Sequence, residues 1–330
     1  MRNKQLKWVS FVIVLLLLLA GSILFALMVG EIHFSVLELL TVFGDKNGIE
    51  YTILSRIRLP RIMLGVAVGG ALSLAGVLLQ GIYRNPLVEP YTLGISGGAS
   101  LSVAITIVFG LNISLGAYML PAAGFVGSIV TVFIVYILSM GKYSIDINKM
   151  LLLGVMVSFI ASSAMMFLMS TTTNENLQSI IFWVMGSLAE TDVILIRIVF
   201  YVAIAGLLIS YLFANPLNAL RLGEGNAKHL GINTGITIRI LFVIASLMTG
   251  VSVAVAGVIG FVGLVIPHLT RMVVGSDFRI LLISSFLGGS IFVVLCDIIA
   301  RLIIAPNELP IGVITGMIGG LVFIVVLGRK

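Results

Sequence analysis

Runs of about 20 apolar residues, the length an α-helix needs to cross the hydrocarbon of a bilayer, recur along this chain. They lie near residues 8–29, 62–82, 93–110, 119–140, 150–170, 193–213, 237–255, 256–272, 281–301 and 309–328. In lipid every backbone N–H and C=O must be satisfied within the protein, so such runs form helices. The pattern specifies an all-α polytopic membrane protein with about ten transmembrane helices and both termini in the cytoplasm. Composition supports it: 60% of the 330 residues are hydrophobic and only 10% are charged. Soluble domains carry about 25% charged residues, so this chain cannot cover a water-facing surface. The least defined division is Thr237 to Met272, one nearly continuous apolar stretch broken only by small residues around Gly250 to Gly260. The N-terminal MRNKQLKW and the run after it resemble a signal peptide, but no small-residue cleavage site follows, and they read as the first span.

Charge tests the layout. Most of the 19 Lys and Arg, among them Arg2, Lys4, Lys7, Arg84, Lys149, Arg221, Arg239, Arg271 and Arg279, fall on the cytoplasmic side, as the positive-inside rule requires. RIRLPR, Arg56 to Arg61, defies the rule by placing three arginines outside, which calls for a partner or a headgroup anchor. Small-residue segments, GVAVGGALSLAG (65–76), LGISGGAS (93–100), GVSVAVAGVIGFVG (250–263) and GVITGMIGG (312–320), predict helices in close backbone contact.

Familiar chemistry is absent from the sequence. There is no GxxxxGK[ST] phosphate loop and no HExxH, and His33, His229 and His268 are scattered. The lone Cys296 excludes an intrachain disulfide and a multi-cysteine metal site. Arg197 and Asp297 stand out as ionisable residues within spans, and the spacing of Asp297 and Arg301 predicts an i,i+4 ion pair. The shortage of intramembrane carboxylates and histidines argues against an ion-coupled secondary transporter. The lack of a nucleophile–base pair argues against an intramembrane enzyme.

The remaining polar features are loops. RNPLVEP, Arg84 to Pro90, is expected as a short stiff cytoplasmic turn held by Pro86 and Pro90. Terminating a helix and lining a pore both remain open to it. ANPLNALRLGEGNAKHLGINTG, Ala214 to Gly235, is the longest internal loop and has room for a short helix around Glu224 to Leu230. It reads either as a solvated connector or as a docking element for a cytosolic partner.

Taken together, RLPR, RNPLVEPYTLGISGGA, GEGNAKHLGI, GFVGLVIPHLTRMVVGSDFR and NELPIGVITGMIGG resemble the FecCD-type permeases, in family order from Arg58 to Gly320. These are the membrane subunits of ATP-driven importers of iron–siderophore complexes, haem and cobalamin. The resemblance implies a type II ABC importer permease fold: one transmembrane domain spanning 1–330, with 214–235 as the loop that couples to an ATPase. The implied partners are a second permease subunit, two cytosolic ATPase subunits holding ATP and magnesium, and an extracytoplasmic substrate-binding protein. No cofactor or metal on this chain itself is implied, nor any nucleic acid. By the same resemblance Arg58, Arg61 and Arg301 dock the binding protein, while Asn85, Pro86 and Leu87 form a cytoplasmic gate. A second constriction is expected around Ser144 to Lys149. Glu224, Ala227, Leu230 and Gly231 are expected to contact the ATPase. Gln80 is a pathway candidate, or a polar side chain satisfied between helices. An iron–siderophore complex is the expected cargo, with haem and cobalamin as alternatives.

Overall fold

In the computed structural model, which describes residues 2–30, 32–42, 48–116, 118–141 and 146–328, each of the ten apolar stretches is helical. In chain order the helices are α1 (Arg2–Met28), α2 (Val36–Val42), α3 (Ile49–Thr52), α4 (Leu59–Tyr83), α5 (Ile95–Val108), α6 (Leu111–Leu115), α7 (Met119–Leu138) and α8 (Ile147–Thr171). There follow α9 (Asn174–Met185), α10 (Val193–Leu212), α11 (Ala214–Leu220), α12 (Glu224–His229), α13 (Thr234–Ala256), α14 (Val262–Val274), α15 (Phe278–Leu302) and α16 (Ile311–Gly328). A π-helical turn, Ile53–Arg58, leads into α4, and a 3-10 turn, Pro90–Leu93, leads into α5.

Among the described residues seven helices are long and apolar enough to cross a membrane, and α5 and α14 are shorter. The expected span 256–272 is therefore corrected. The apolar run breaks at 257–261, and α14, with 13 residues, is about 20 Å long against a hydrocarbon core of about 30 Å.

Polar residues punctuate the lipid-soluble helices. Asp146, Asp192, Asn233 and Asp277 are N-caps of α8, α10, α13 and α15, each accepting a first-turn backbone N–H. The short helix predicted at Glu224 to Leu230 is present as α12. Helices α2, α9 and α11 were not foreseen, because each lies in a segment too polar or too short to register as a span.

Helix α4 is the axis of the bundle, almost wholly buried against α10, α13, α14 and α15. Its small residues make this possible. A Cβ on Gly69 would overlap the carbonyl of Gly289 on α15, and one on Gly76 would overlap the carbonyl of Gly263 on α14. Gly98 on α5 and Gly127 on α7 meet in the same way. Lipid tails are as apolar as Leu, so such close packing, not hydrophobic exclusion, holds helices together here. Large side chains such as Leu17, Phe159 and Ile160 point outward instead.

These contacts also fix depth. Gly263, in the first turn of α14, lies against the Leu72 carbonyl and Pro90. Helix α14 therefore starts level with the middle of α4. The segment after α4 folds back to the same level, so the end of 84–90, expected as a short stiff cytoplasmic turn, lies inside the bundle.

Candidate functional site

Two polar clusters cap opposite ends of α4. At its N-terminal end, Arg61 donates from Nε to Asp297 Oδ1 at 2.8 Å and from Nη1 to Glu308 Oε2 at 2.7 Å. The i,i+4 pair is present, with Arg301 Nε 3.1 Å from Asp297 Oδ2, and Arg301 Nη1 also donates to the Val29 carbonyl at 3.2 Å. Arg58 donates to the carbonyls of Leu27 and Ile32 and lies over the Phe34 ring, 4.8 Å from its centroid. Arg58, Arg61 and Arg301, the three arginines expected to dock a binding protein, are thus brought together, but as a braced cluster. Arg58 and Arg61 are 5% and 8% exposed. They line a cavity of about 200 Å³ with Gly30, Ile32 and Glu308. Three guanidiniums against two carboxylates leave the cluster with one net positive charge (3 − 2 = 1). Arg56, on the π-helical turn, is exposed to solvent.

At the C-terminal end, α4 stops because Arg84 turns into the left-handed region, φ 53, ahead of Pro86. Asn85 Oδ1 accepts the Leu87 N–H at 2.9 Å, a tight turn that leaves Leu87 54% exposed. From there the chain descends into the bundle. Tyr91 Oη both donates to the Ile259 carbonyl and accepts the Ile259 N–H, each at 3.1 Å. Glu89 accepts the Phe261 N–H. Gln80, only 3% exposed, donates to the carbonyls of Val88 at 3.3 Å and Gly263 at 3.2 Å, and accepts from Arg271 Nη2 at 3.0 Å. It is satisfied between elements, the second of its two sequence readings. The segment after α4 and the α13–α14 break are stapled together by Gln80, Glu89 and Tyr91.

Glu89 and Tyr91 were missed by sequence reasoning, which counted 84–90 as cytoplasmic. Irregular backbone at membrane depth is tolerated only where protein or a water-filled cavity satisfies it, and these two side chains supply that satisfaction. Of the expected second constriction, Ser144 lies outside the described residues, while Asp146 Oδ1 accepts the Lys149 N–H at 3.0 Å as the cap of α8.

The expected coupling residues surround α12. Ala227 is 0% exposed and packs in the chain's own core, so it seats the helix and presents nothing outward. Leu230 is 63% exposed, and Gly231, at φ 81, turns the chain away from the helix. Glu224 is half-buried in the first turn. Helix α11 ties this corner to α15: Asn218 Nδ2 donates to Asp277 Oδ1 at 3.0 Å, and Arg221 Nη1 donates to the Ser276 carbonyl at 2.7 Å.

With this geometry in hand, comparison with known proteins is informative. The profile of the FecCD transport family matches residues 15–329. The hemin transport system permease protein HmuU of Yersinia pestis is 36% identical over 286 residues, 86% of this chain and 85% of that protein. The vitamin B12 import system permease protein BtuC of Salmonella typhi is 33% identical over 330 residues, 98% of this chain and 96% of that protein. Among solved structures, an inward-facing conformation of a metal-chelate type ABC transporter matches with a TM-score of 0.87 and 30% identity, covering 97% of this chain and 99% of that one.

Proposed function

The chain belongs to the FecCD transport family, as a permease of an ABC importer, and from that premise we propose that its cargo is an iron–siderophore complex. The observation that carries this choice is the likeness, along nearly the whole chain, to a metal-chelate type transporter. A second reading, haem, is favoured by the 36% identity to a hemin permease, and cobalamin by the full-length relative that imports vitamin B12.

In this reading the chain lies in the cytoplasmic membrane with both termini in the cytoplasm, and pairs with a second permease subunit. A loaded extracytoplasmic binding protein docks on the end that carries Arg58, Arg61 and Arg301. The net positive charge of that cluster attracts an acidic partner, and charge complementarity speeds encounter with a protein that must come and go. Because Arg58 and Arg61 are braced, exposed Arg56 is the guanidinium most accessible to such a partner. Two ATPase subunits sit beneath α11 and α12 and take Leu230 and Glu224 as contacts. ATP is hydrolysed on those subunits. Their motion passes through the α11–α15 corner to the end of α4, where Asn85, Pro86 and Leu87 gate the pathway. The stapling of 88–91 to the α13–α14 break supports this: a displaced gate carries α14 with it.

The test is reconstitution. The chain is co-purified with its ATPase subunit, placed in liposomes, and supplied with the cognate binding protein loaded with a ferric siderophore, haem or cobalamin. ATP-dependent accumulation of the ferric siderophore is expected. Uptake of haem or cobalamin alone overturns the cargo, and failure to co-purify with any ATPase overturns the reading as a whole.

A further inference from the structure

Beside the C-terminal end of α4 is a cavity of about 260 Å³ lined by Gln80, Gly81, Arg84, Pro86, Arg221, Arg271, Ser276 and Phe278. Three of these are arginines and none is a carboxylate. The contrast with the other end of α4 is the informative point. There, Arg61 and Arg301 are neutralised by Asp297 and Glu308. Here, no ion pair among the described residues involves Arg84, Arg221 or Arg271. Arg271 has Gln80 Oε1, a neutral acceptor, and Arg221 has a backbone carbonyl. Asp277, next to Ser276, is already engaged, its Oδ1 accepting from Asn218 and from the Arg279 N–H. Arg221 and Arg271 lie close enough to repel one another. Like charges gathered at the end of an apolar bundle are costly unless an anion joins them.

We infer that the Arg84–Arg221–Arg271 cavity is a binding site for a phosphate group. The chemistry is specific. A guanidinium offers its N–H groups as a planar fork that matches two oxygens at once, and phosphate presents enough oxygens to engage several forks, where a carboxylate presents two. The cavity also has room for a glycerol arm beyond the phosphate. Its place, at the ends of membrane-embedded helices on the basic side of the sequence, is where phosphatidylglycerol headgroups lie; basic pockets between helices hold anionic headgroups in this way. Free inorganic phosphate offers the same chemistry. Either would bridge three elements at once: the turn after α4 through Arg84, the α11 corner through Arg221, and the last turn of α14 through Arg271. Occupancy would therefore restrain the segment that carries Asn85 to Leu87. The inference rests on this chain's own residues and stands whether or not the cargo proposed above is right.

The test uses the full chain purified in detergent in a chloride buffer. One arm titrates inorganic phosphate at constant ionic strength and follows the unfolding midpoint. The other compares retention of phosphatidylglycerol and phosphatidylcholine by native mass spectrometry. Saturable stabilisation by phosphate, selective retention of phosphatidylglycerol, or both are expected, and the arm that responds names the source. In Arg84→Gln/Arg221→Gln, which alters only exposed side chains, apparent affinity should weaken tenfold or more. Arg271→Gln should do the same, and should it fail to fold, the exposed pair still decides. The inference is overturned if neither ligand acts beyond its chloride or phosphatidylcholine control. That is also the result expected if an acidic side chain of a partner subunit fills the cavity. An unchanged response in the double variant overturns it equally.

Discussion

Removing Asp297 should cost this protein more stability than almost any other single polar change. Its carboxylate is 4% exposed and joins Arg61 at 2.8 Å to Arg301 at 3.1 Å, tying α4 to α15. At an effective dielectric of about 20, unit charges at those separations attract by about 6 and about 5 kcal/mol. Desolvation of the ions offsets several kcal/mol each, so the pair itself adds little net stability. Breaking it is another matter. In Asp297→Ala two arginines remain with Glu308 alone, whose side chain is 46% exposed. An orphaned buried charge costs about 3–5 kcal/mol, or two to three and a half powers of ten in the unfolding constant. The assay is unfolding in mixed detergent–SDS micelles, read by fluorescence of Trp8 and Trp183. Arg61→Met/Asp297→Leu, which removes charge from both helices, should recover at least half the loss. A cost below about 1 kcal/mol for Asp297→Ala would refute the reasoning, as would a double variant as unstable as the summed singles.

Three further outcomes follow from other contacts. Tyr91→Phe strips both hydrogen bonds from Ile259 and leaves a backbone donor and acceptor unsatisfied inside the bundle. It should cost about 1–3 kcal/mol and raise hydrogen exchange selectively at 257–261. Gly76→Ala forces a Cβ into the Gly263 carbonyl, whereas Gly225→Ala meets open space. The first should cost about 1–3 kcal/mol and the second stay within about 0.5 kcal/mol, as measured by the same unfolding assay. The hydrogen bond from the Tyr118 phenol holds the Asp192 carboxyl below its usual range. A depressed carboxylate stabilises the fold above its unfolded pKa, about 4, and loses that contribution as pH falls through the folded value. Tyr118→Phe should therefore move the acid loss of the α10 cap to higher pH, read from unfolding midpoints between about pH 2 and pH 5.

How far the sequence discloses this arrangement depends on what each signal measures. Hydropathy reports what solvates a segment, and lipid or protein interior suits the same residues. It therefore located every long helix yet could not distinguish a full crossing from α14, which is equally apolar and starts halfway. The break at 257–261 was legible only as small residues around Gly250 to Gly260, because Gly257 and Gly260 lie among small residues that elsewhere in the chain mean close packing. Ion-pair spacing reveals partners on one helix, so Asp297 with Arg301 was legible, whereas Arg61 meets Asp297 across 236 residues and Glu308 across 247. Arg58 and Arg61 accordingly read as free docking charges and are in fact braced. The same limit applied to Glu89. Charge placed it in water because a carboxylate between two prolines next to Arg84 resembles a surface turn. Its depth was set by a glycine 174 residues away (263 − 89 = 174), which lets Pro90 approach the backbone of α14. Polar residues in a membrane bundle are thus positioned by the glycines of other helices. The segment just after Asn85 to Leu87 is where that coupling is densest, since Gln80, Glu89 and Tyr91 all bond to backbone between Ile259 and Gly263. A displacement of 88–91 that left α14 in place would have to break these bonds in an apolar interior, at about 1–3 kcal/mol each. Moving the two together breaks none, which makes rigid displacement of 88–91 with the start of α14 the lower-energy motion.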